Sequence, residues 1–371
     1  MPILWGSKLT GKSLGTTLGA IIARTGGLDY DDYGVPATEP YASYSVLRLR
    51  QDIFSSSTIG LLGVNRTVPG DVNSVFVADA NVTASRFKMA GVFARSLNQA
   101  SGLYGNLGEA SLNWDANSYQ LFFGLKDIGR DFYIKKFGYR GDAGYKNWAA
   151  GGGIKPDLSN LGISSLWAGL FCGRGKQYRD DKYGDGFSFN FDFSTFNAWG
   201  FWGGTDVNRG CVEGVWQKTM SYWAGINSDE RKKLNGGFNF SQNDAYNYDW
   251  NYFGHSRTLE IWSGLNVLSN LSFSFTASNI WQYYQSWEYH RADLTSGQRL
   301  QYSLTKDIAL RVFVQQNTSD HSHNFNGLIS WSFAPGSIFY LAYNEVRDNS
   351  LGNLAVQSRT IVAKLSYLWN L

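Results

Sequence analysis

The sequence predicts an all-β protein, an antiparallel transmembrane β-barrel of about 20 to 22 strands, and three observations support this. Apolar and polar residues alternate along most of the 371-residue chain, as between Leu271 and Asn279, where Ser or Thr occupies every even position. Because a strand places successive side chains on opposite faces, the alternation describes one apolar and one polar face. The alternating segments are about ten residues long, which is enough to cross a bilayer as a tilted strand. Trp and Tyr are frequent, at 14 and 22 residues, as in the aromatic girdles of membrane barrels.

The same alternation places 21 strands along the chain. They are predicted at 3–12, 14–25, 41–53, 57–67, 74–84, 86–97, 107–115, 118–127, 139–150, 161–173, 184–195, 197–206, 215–227, 233–243, 256–268, 270–282, 297–305, 306–317, 323–334, 336–347 and 357–370. Some links are tight, among them Pro335–Gly336, whose residues suit the two central positions of a type II turn. Long polar loops are predicted at 26–40, 98–106, 128–138, 174–183, 207–214, 244–255, 283–296, 318–322 and 348–356. Short periplasmic turns and longer extracellular loops are typical of bacterial outer-membrane barrels.

Composition limits the other classes of protein. Hydrophobic residues make up 43% of the chain, yet no run approaches the ~20 apolar residues of a transmembrane helix. A net charge of +3, from 33 basic and 30 acidic residues, argues against a nucleic-acid partner. Cys172 and Cys211 are too few for a disulfide framework, and either one bridge or two free thiols is compatible with the sequence. No linker divides the chain, so we expect residues 1–371 to form a single barrel domain.

The two faces predict where lipid and water lie. The residues expected to face lipid are Phe189, Phe191, Phe273, Phe275, Leu310, Val312, Ile329, Trp331, Leu365 and Tyr367. The opposite face carries charges of both signs, which are candidates for a lumen constriction: Arg48, Arg50, Asp79, Glu109, Asp115, Lys126, Asp192, Glu260, Arg299, Arg311 and Lys364. Selective pores carry rings of one sign, whereas this mixture favours charges that pair across strands, as we expect for Arg48 and Asp79.

Signals for an enzyme or a metal centre are few. His321 and His323 are candidate ligands for a divalent metal, with a solvated loop pair as the alternative. His255–Ser256 raises the hypothesis of an outer-membrane hydrolase, but neighbours on a strand point to opposite faces and would not meet. The sequence therefore predicts a protein that is not an enzyme and has no cofactor.

Several short motifs resemble a bacterial outer-membrane family of unknown function. Residues 3–12 resemble its LYGAKLTGK strand, and further similar segments are 47–53 with 57–60, 65–66, 77–80, 310–315 and 331–344. Members of this family carry an amino-terminal module similar to family-nine carbohydrate-binding domains, followed by a barrel. The resemblance implies that the module and one strand precede the barrel segment seen here. It implies no catalytic residues.

Closure of the barrel and the start of the chain are linked. A closed up-and-down barrel has an even number of strands, so either one of the 21 is misread or one precedes Met1. Residues 1–5 lack the features of a secretory signal, so we expect an upstream part. Strand 3–12 then needs a neighbour, either the strand at 357–370 or an additional one, because unpaired backbone in a bilayer is costly.

Three functional classes remain compatible with these observations. The first is an integral outer-membrane channel or transport barrel, with the lipid bilayer and lipopolysaccharide as partners. The second is the barrel subunit of a complex with other outer-membrane or periplasmic chains. The alternative is a soluble, secreted all-β protein that binds or processes glycans, although no 40–50-residue repeat of a propeller is present.

Overall fold

Most of the residues that the structure describes lie in strands. The computed structural model describes residues 2–32, 35–134, 144–180, 182–212, 214–248, 250–350 and 352–368. Twenty-one strands form one sheet and two short strands form a separate hairpin. The strands are β1 (Ile3–Ser13), β2 (Thr16–Thr25), β3 (Leu28–Asp32), β4 (Val35–Glu39), β5 (Ala42–Ile53), β6 (Ser57–Val68), β7 (Asp71–Ala84), β8 (Phe87–Asn98), β9 (Leu103–Asp115), β10 (Tyr119–Ile128), β11 (Tyr145–Ile154), β12 (Ile163–Gln177), β13 (Gly184–Thr195), β14 (Gly200–Val212), β15 (Val215–Asn227), β16 (Leu234–Asn247), β17 (Tyr252–Leu268), β18 (Leu271–Tyr284), β19 (Tyr289–Ser303), β20 (Ile308–Asn317), β21 (Ser322–Ala334), β22 (Ser337–Asp348) and β23 (Ala355–Ser366).

Strands that are adjacent in the sequence pair in antiparallel fashion. Strand β2 pairs with β5, and the β3–β4 hairpin is inserted between them in the sequence. Tight turns join many of these pairs. Leu14 and Gly15 have φ values of 49° and 77°, the positive values that a two-residue hairpin turn matching strand twist requires. Gly336 has a φ of 73°, in agreement with its predicted place in a Pro–Gly turn. Among the described residues, no helix is long and apolar enough to span a membrane.

Several strands extend into segments predicted to be loops. The predicted loop 26–40 contains the β3–β4 hairpin, and most of the predicted loop 283–296 belongs to β19. Strands β16 and β17 likewise shorten the predicted loop 244–255. These segments are polar and aromatic, so they lack the apolar stripe that marks a strand against lipid, yet their backbone still pairs. The start of the strand predicted at 139–150 lies outside the described residues, and β11 begins at Tyr145.

The expectation that strand 3–12 has a neighbour on each side does not hold among the described residues. Strand β1 pairs with β2, and β23 pairs with β22. No pairing in the described part of the chain joins β1 to β23 or to an additional strand. Both strands are exposed along their whole length.

The chain divides into two compact units. One comprises residues 1–155, 169–188 and 208–218, and the other comprises 156–168, 189–207 and 219–371. In the first unit, Ala94, Ile128 and Phe132 form a small buried apolar cluster, against which Val77, Leu107 and Ile134 pack. Few other apolar side chains of the described residues are buried, because both faces of a single-layered sheet are exposed.

Candidate functional site

Cross-strand pairing shows which side chains share a face. In the first unit, Leu121, Phe123 and Leu125 lie on one face of β10 and are 54%, 43% and 48% exposed. In the second unit, Phe273 pairs with Leu300, and Leu300 pairs with Val312. Of the residues predicted to face lipid, six are exposed: Phe189, Phe273, Ile329, Trp331, Leu365 and Tyr367. The other four are partly buried: Phe191, Phe275, Leu310 and Val312. Each unit thus presents an apolar face and an opposite polar face.

On the polar face, the predicted pair of Arg48 and Asp79 is present. Arg48 donates two hydrogen bonds to the Asp79 carboxylate, of 2.5 Å from Nη1 and 2.9 Å from Nη2. The two residues lie on β5 and β7, so the Arg48 side chain crosses the intervening strand β6. It does so over Gly60, where a Cβ atom would lie 2.6 Å from Nη2 of Arg48. A bidentate pair of this kind holds both groups in one geometry.

Two further candidates for the lumen constriction, Glu109 and Lys126, form an ion pair with each other. A third candidate, Asp115, pairs with a lysine that was not a candidate. Glu109 lies opposite Lys126 on neighbouring strands, with 3.5 Å between Oε2 and Nζ. Asp115 accepts a hydrogen bond of 2.6 Å from Lys155, which follows β11. Together with the Arg48–Asp79 bridge, these pairs neutralise charge locally along the polar face of the first unit.

The other predicted charges are not brought together. Glu260 accepts a hydrogen bond of 3.3 Å from Asn239, and the Arg299 guanidinium lies 5.5 Å from the centre of the Phe313 ring. In the part of the chain that the structure describes, no ion pair includes any of six predicted residues: Arg50, Asp192, Glu260, Arg299, Arg311 and Lys364. A constriction built from all eleven residues therefore stays a prediction.

A buried arginine that the sequence analysis did not select lies near the other end of the polar face. Arg66 on β6 is 2% exposed, forms an ion pair with Glu39 and donates a hydrogen bond of 3.2 Å to the Tyr44 hydroxyl. Glu39 ends β4, so this ion pair fastens the β3–β4 hairpin to the sheet. Arg66 shares its face with Arg48, and the alternation along 57–67 was a signal that could have identified it.

The segment that follows β10 also folds onto the polar face. Phe132 is 7% exposed and packs with Ala94 and Ile128. The backbone N–H of Tyr133 donates a hydrogen bond of 2.9 Å to the Ser96 hydroxyl. Ala94 and Ser96 have the same parity on β8, and the neighbouring Phe93 on the other face is 55% exposed. Residues 129–134, predicted as part of a polar loop, therefore cover the polar face of β7 to β9.

The second unit carries an aromatic cluster around β16 to β19. The His255 ring stacks on Trp287 with 3.9 Å between ring centres, and its Nδ1 lies 2.7 Å from Asp244. Ser256, the other half of the hypothetical hydrolase pair, is paired with Asn243 and Gln282, so it points to the opposite face. The pair suggested by the sequence is therefore not assembled.

The remaining candidate residues, two histidines and two cysteines, do not form a common site. His323 Nε2 lies 3.2 Å from the Asn349 amide, and His321 occupies the preceding turn with a φ of 53°. Among the described residues, no group of three or more His, Cys, Asp or Glu side chains is placed to hold a metal ion. Cys172 and Cys211 are both free thiols.

One ion pair lies in a turn outside the strands. Asp229 accepts hydrogen bonds from Arg231 at 2.8 Å and 3.0 Å through the guanidinium and at 3.0 Å through the backbone N–H. These bonds lower the pKa of the Asp229 carboxyl to about 2. They close the turn between β15 and β16.

Comparison with known proteins identifies the fold. No family model matches the chain, and no curated protein matches it. Among solved structures, the copper transporter OprC has a TM-score of 0.61 at 12% identity, over 92% of this chain and 72% of that one. The ferric citrate transporter FecA, in its unliganded form, has a TM-score of 0.60 at 10% identity, over 95% of this chain and 73% of that one. The chain therefore has the fold of an antiparallel outer-membrane β-barrel.

Proposed function

We propose that this chain is an integral outer-membrane barrel that carries a small polar solute along its polar face. The observation that supports this most is the covering of that face by residues 129–134, above a wall that bears the Arg48–Asp79 pair. A polar wall of paired charges is suited to water and uncharged polar solutes, and a segment packed over it is suited to control access. The shared fold with two transporters supports the class of function.

Conductance of the full chain in planar bilayers tests this proposal. Phe132→Ala removes the ring that holds the covering segment, and truncating a buried Phe costs about 3–5 kcal/mol. We expect this variant to pass more current than the unmodified chain, because the segment no longer packs on the wall. Absence of current through both proteins would contradict the proposal.

Phe123→Ala is the matched control. Phe123 is 43% exposed and lies on the apolar face, whereas the covering segment packs on the polar face. We expect its conductance to equal that of the unmodified chain. An equal rise in both variants would mean that residues 129–134 do not control access.

A further inference from the structure

A cluster of cations lies on the apolar face of the first unit, where the solute path is not expected. Asp127 and Lys146 face each other on β10 and β11, in the same register as the exposed Leu125 and its partner Trp148. Lys146 therefore lies directly beside this apolar surface. The apolar residues belong to the face expected to contact lipid, so the cations are placed at its border.

Two tyrosine rings organise these cations. Around Tyr183, the Lys146 and Lys176 ammonium groups and the Arg174 guanidinium lie 5.6 Å, 5.1 Å and 5.2 Å from the ring centre. The Arg130 guanidinium lies 5.6 Å from the centre of the Tyr178 ring. Cations over aromatic faces are held without being neutralised, so they stay available to an anion.

Carboxylates balance only part of this charge. Asp127 accepts a hydrogen bond of 2.6 Å from the Tyr178 hydroxyl, and that bond raises the pKa of the Tyr178 phenol. Asp185 lies 3.4 Å from Arg174 and 3.1 Å from Arg209. Lys176 and Arg130 donate hydrogen bonds to the backbone oxygens of Asp180 and Tyr178, at 3.2 Å and 2.6 Å, and Lys146 bonds to the Tyr183 hydroxyl. Among the described residues, Arg174 and Arg209 thus share the Asp185 carboxylate, whereas Lys146, Lys176 and Arg130 form no ion pair.

An apolar groove of about 500 Å³ continues from the cluster onto the apolar face. Leu125, Trp148 and Ala110 line it together with Lys146, Arg174 and Tyr183, and the charged residues Asp127, Glu109 and Lys126 also contribute to its lining. Leu125 and Trp148 are 48% and 39% exposed. A site with an apolar floor and a cationic border matches a molecule that has an acyl chain and an anionic headgroup.

We propose that this groove binds a phosphorylated lipid of the outer leaflet, with the phosphate on Lys146, Arg174 and Lys176 and an acyl chain along Leu125 and Trp148. Lysine and arginine are the side chains that bind phosphate, and basic pockets beside apolar surface bind lipid headgroups. The inference rests on the membrane location in the proposed function, but it does not depend on solute transport.

Native mass spectrometry of the full chain with added lipid A tests this site. Neutralising the three cations together, by Lys146→Gln, Arg174→Gln and Lys176→Gln, should weaken lipid A binding at least tenfold. The control is Arg299→Gln with Arg311→Gln, which removes two cations from the polar face and should leave binding unchanged. Circular dichroism of each variant verifies that the strands are intact.

Two further arms separate the sources of phosphate. Inorganic phosphate in excess should displace little lipid A, because it lacks the acyl chain that occupies the groove. Leu125→Asn should weaken lipid A binding while the cations remain. Unchanged lipid A binding in the triple variant, or complete displacement by inorganic phosphate, would overturn the proposal. If the triple variant loses lipid A binding but conducts normally, the lipid site is supported independently of transport. If the unmodified chain binds lipid A but conducts no current, only the transport proposal is contradicted.

Discussion

At the residue scale, Gly60 allows the most specific contact of the polar face. The Arg48 side chain can reach Asp79 on β7 only by passing over β6, and glycine leaves that path open. A glycine in a strand interior weakens the strand, so its presence needs such a reason. A methyl group at position 60 would therefore have to displace the end of the Arg48 side chain from its present path.

Replacing Gly60 tests this dependence. Gly60→Ala should shift the Arg48 guanidinium and weaken its hydrogen bonds to Asp79, a loss of about 1–2 kcal/mol that is partly offset by the roughly 0.5–1 kcal/mol gained on replacing a strand glycine. In that background, Asp79→Asn should cost much less than in the unmodified chain, which a double-mutant cycle of denaturant unfolding measures. Gly63→Ala is the control, because a Cβ there would meet only Phe76 at 3.9 Å. An equal cost of Asp79→Asn in both backgrounds would contradict the account.

The turn at Asp229 predicts a pH dependence. The pKa of this carboxyl is about 2 in the folded chain, below its usual 3.8, because Arg231 donates hydrogen bonds to it. A lowered carboxyl pKa contributes stability above the unfolded pKa, and that stability is lost as the pH falls through the folded value. Asp229→Asn should therefore lower the melting temperature at pH 7, and the difference should shrink between about pH 4 and pH 2.

Thermal unfolding in detergent across this pH range measures the effect. Glu230→Gln is the matched control, since the Glu230 side chain takes no part in the hydrogen bonds of the Asp229–Arg231 pair. A melting difference for Asp229→Asn that stays constant down to pH 2 would show that the carboxylate is not what closes the turn.

At the element scale, register decides which side chains lie on the apolar face. A shift by one residue would move every side chain of a strand to the other face, so the apolar stripe and the pairing must agree. They do agree on β18, where Phe273 and Phe275 lie on one face and Thr276 lies on the other, opposite Trp262.

Arginine substitutions on β18 test the register. Phe275→Arg should destabilise the barrel by about 2–4 kcal/mol in lipid, because a charge would face the hydrocarbon. Thr276→Arg, the adjacent control, should have a much smaller effect because its side chain points to the polar face. The free energies of unfolding in vesicles give both values, and equal losses would contradict the assignment of faces.

At the scale of the whole molecule, the fold places tryptophans on both faces of the sheet. Trp331 is 49% exposed and pairs with Phe339 on the apolar face. Trp262 lies on the polar face and stacks on Trp202 with 6.0 Å between ring centres. If the sheet is inserted in a bilayer as proposed, only the first of these tryptophans meets acyl chains.

Quenching of tryptophan fluorescence by brominated lipids tests this arrangement. Trp331→Phe should reduce the quenchable fraction of the emission, because it removes an indole that faces lipid. Trp262→Phe should remove emission without reducing that quenchable share. A soluble protein would show no quenching in either case, which would contradict insertion in a membrane.

Alternation alone determined the class of fold and the assignment of faces. The alternation of apolar and polar residues is a local property of the sequence. The apolar stripes through Phe273, Ile329 and Leu365 can therefore be recognised without any knowledge of the neighbouring strands. The same logic predicted a partner for Arg48 among the carboxylates of its face, and the structure contains that pair.

Only the tertiary structure decided which distant groups meet. Alternation does not show that Phe132 folds back onto Ala94, that Glu39 reaches Arg66, or that Lys146 and Arg174 gather around Tyr183. These contacts join strands and turns far apart in the sequence, and they depend on register, turn geometry and the space left by particular glycines. The ends of several strands are polar and aromatic and carry no apolar stripe. These ends still pair beyond the predicted boundaries, because backbone hydrogen bonds continue the ladder whatever the side chains are.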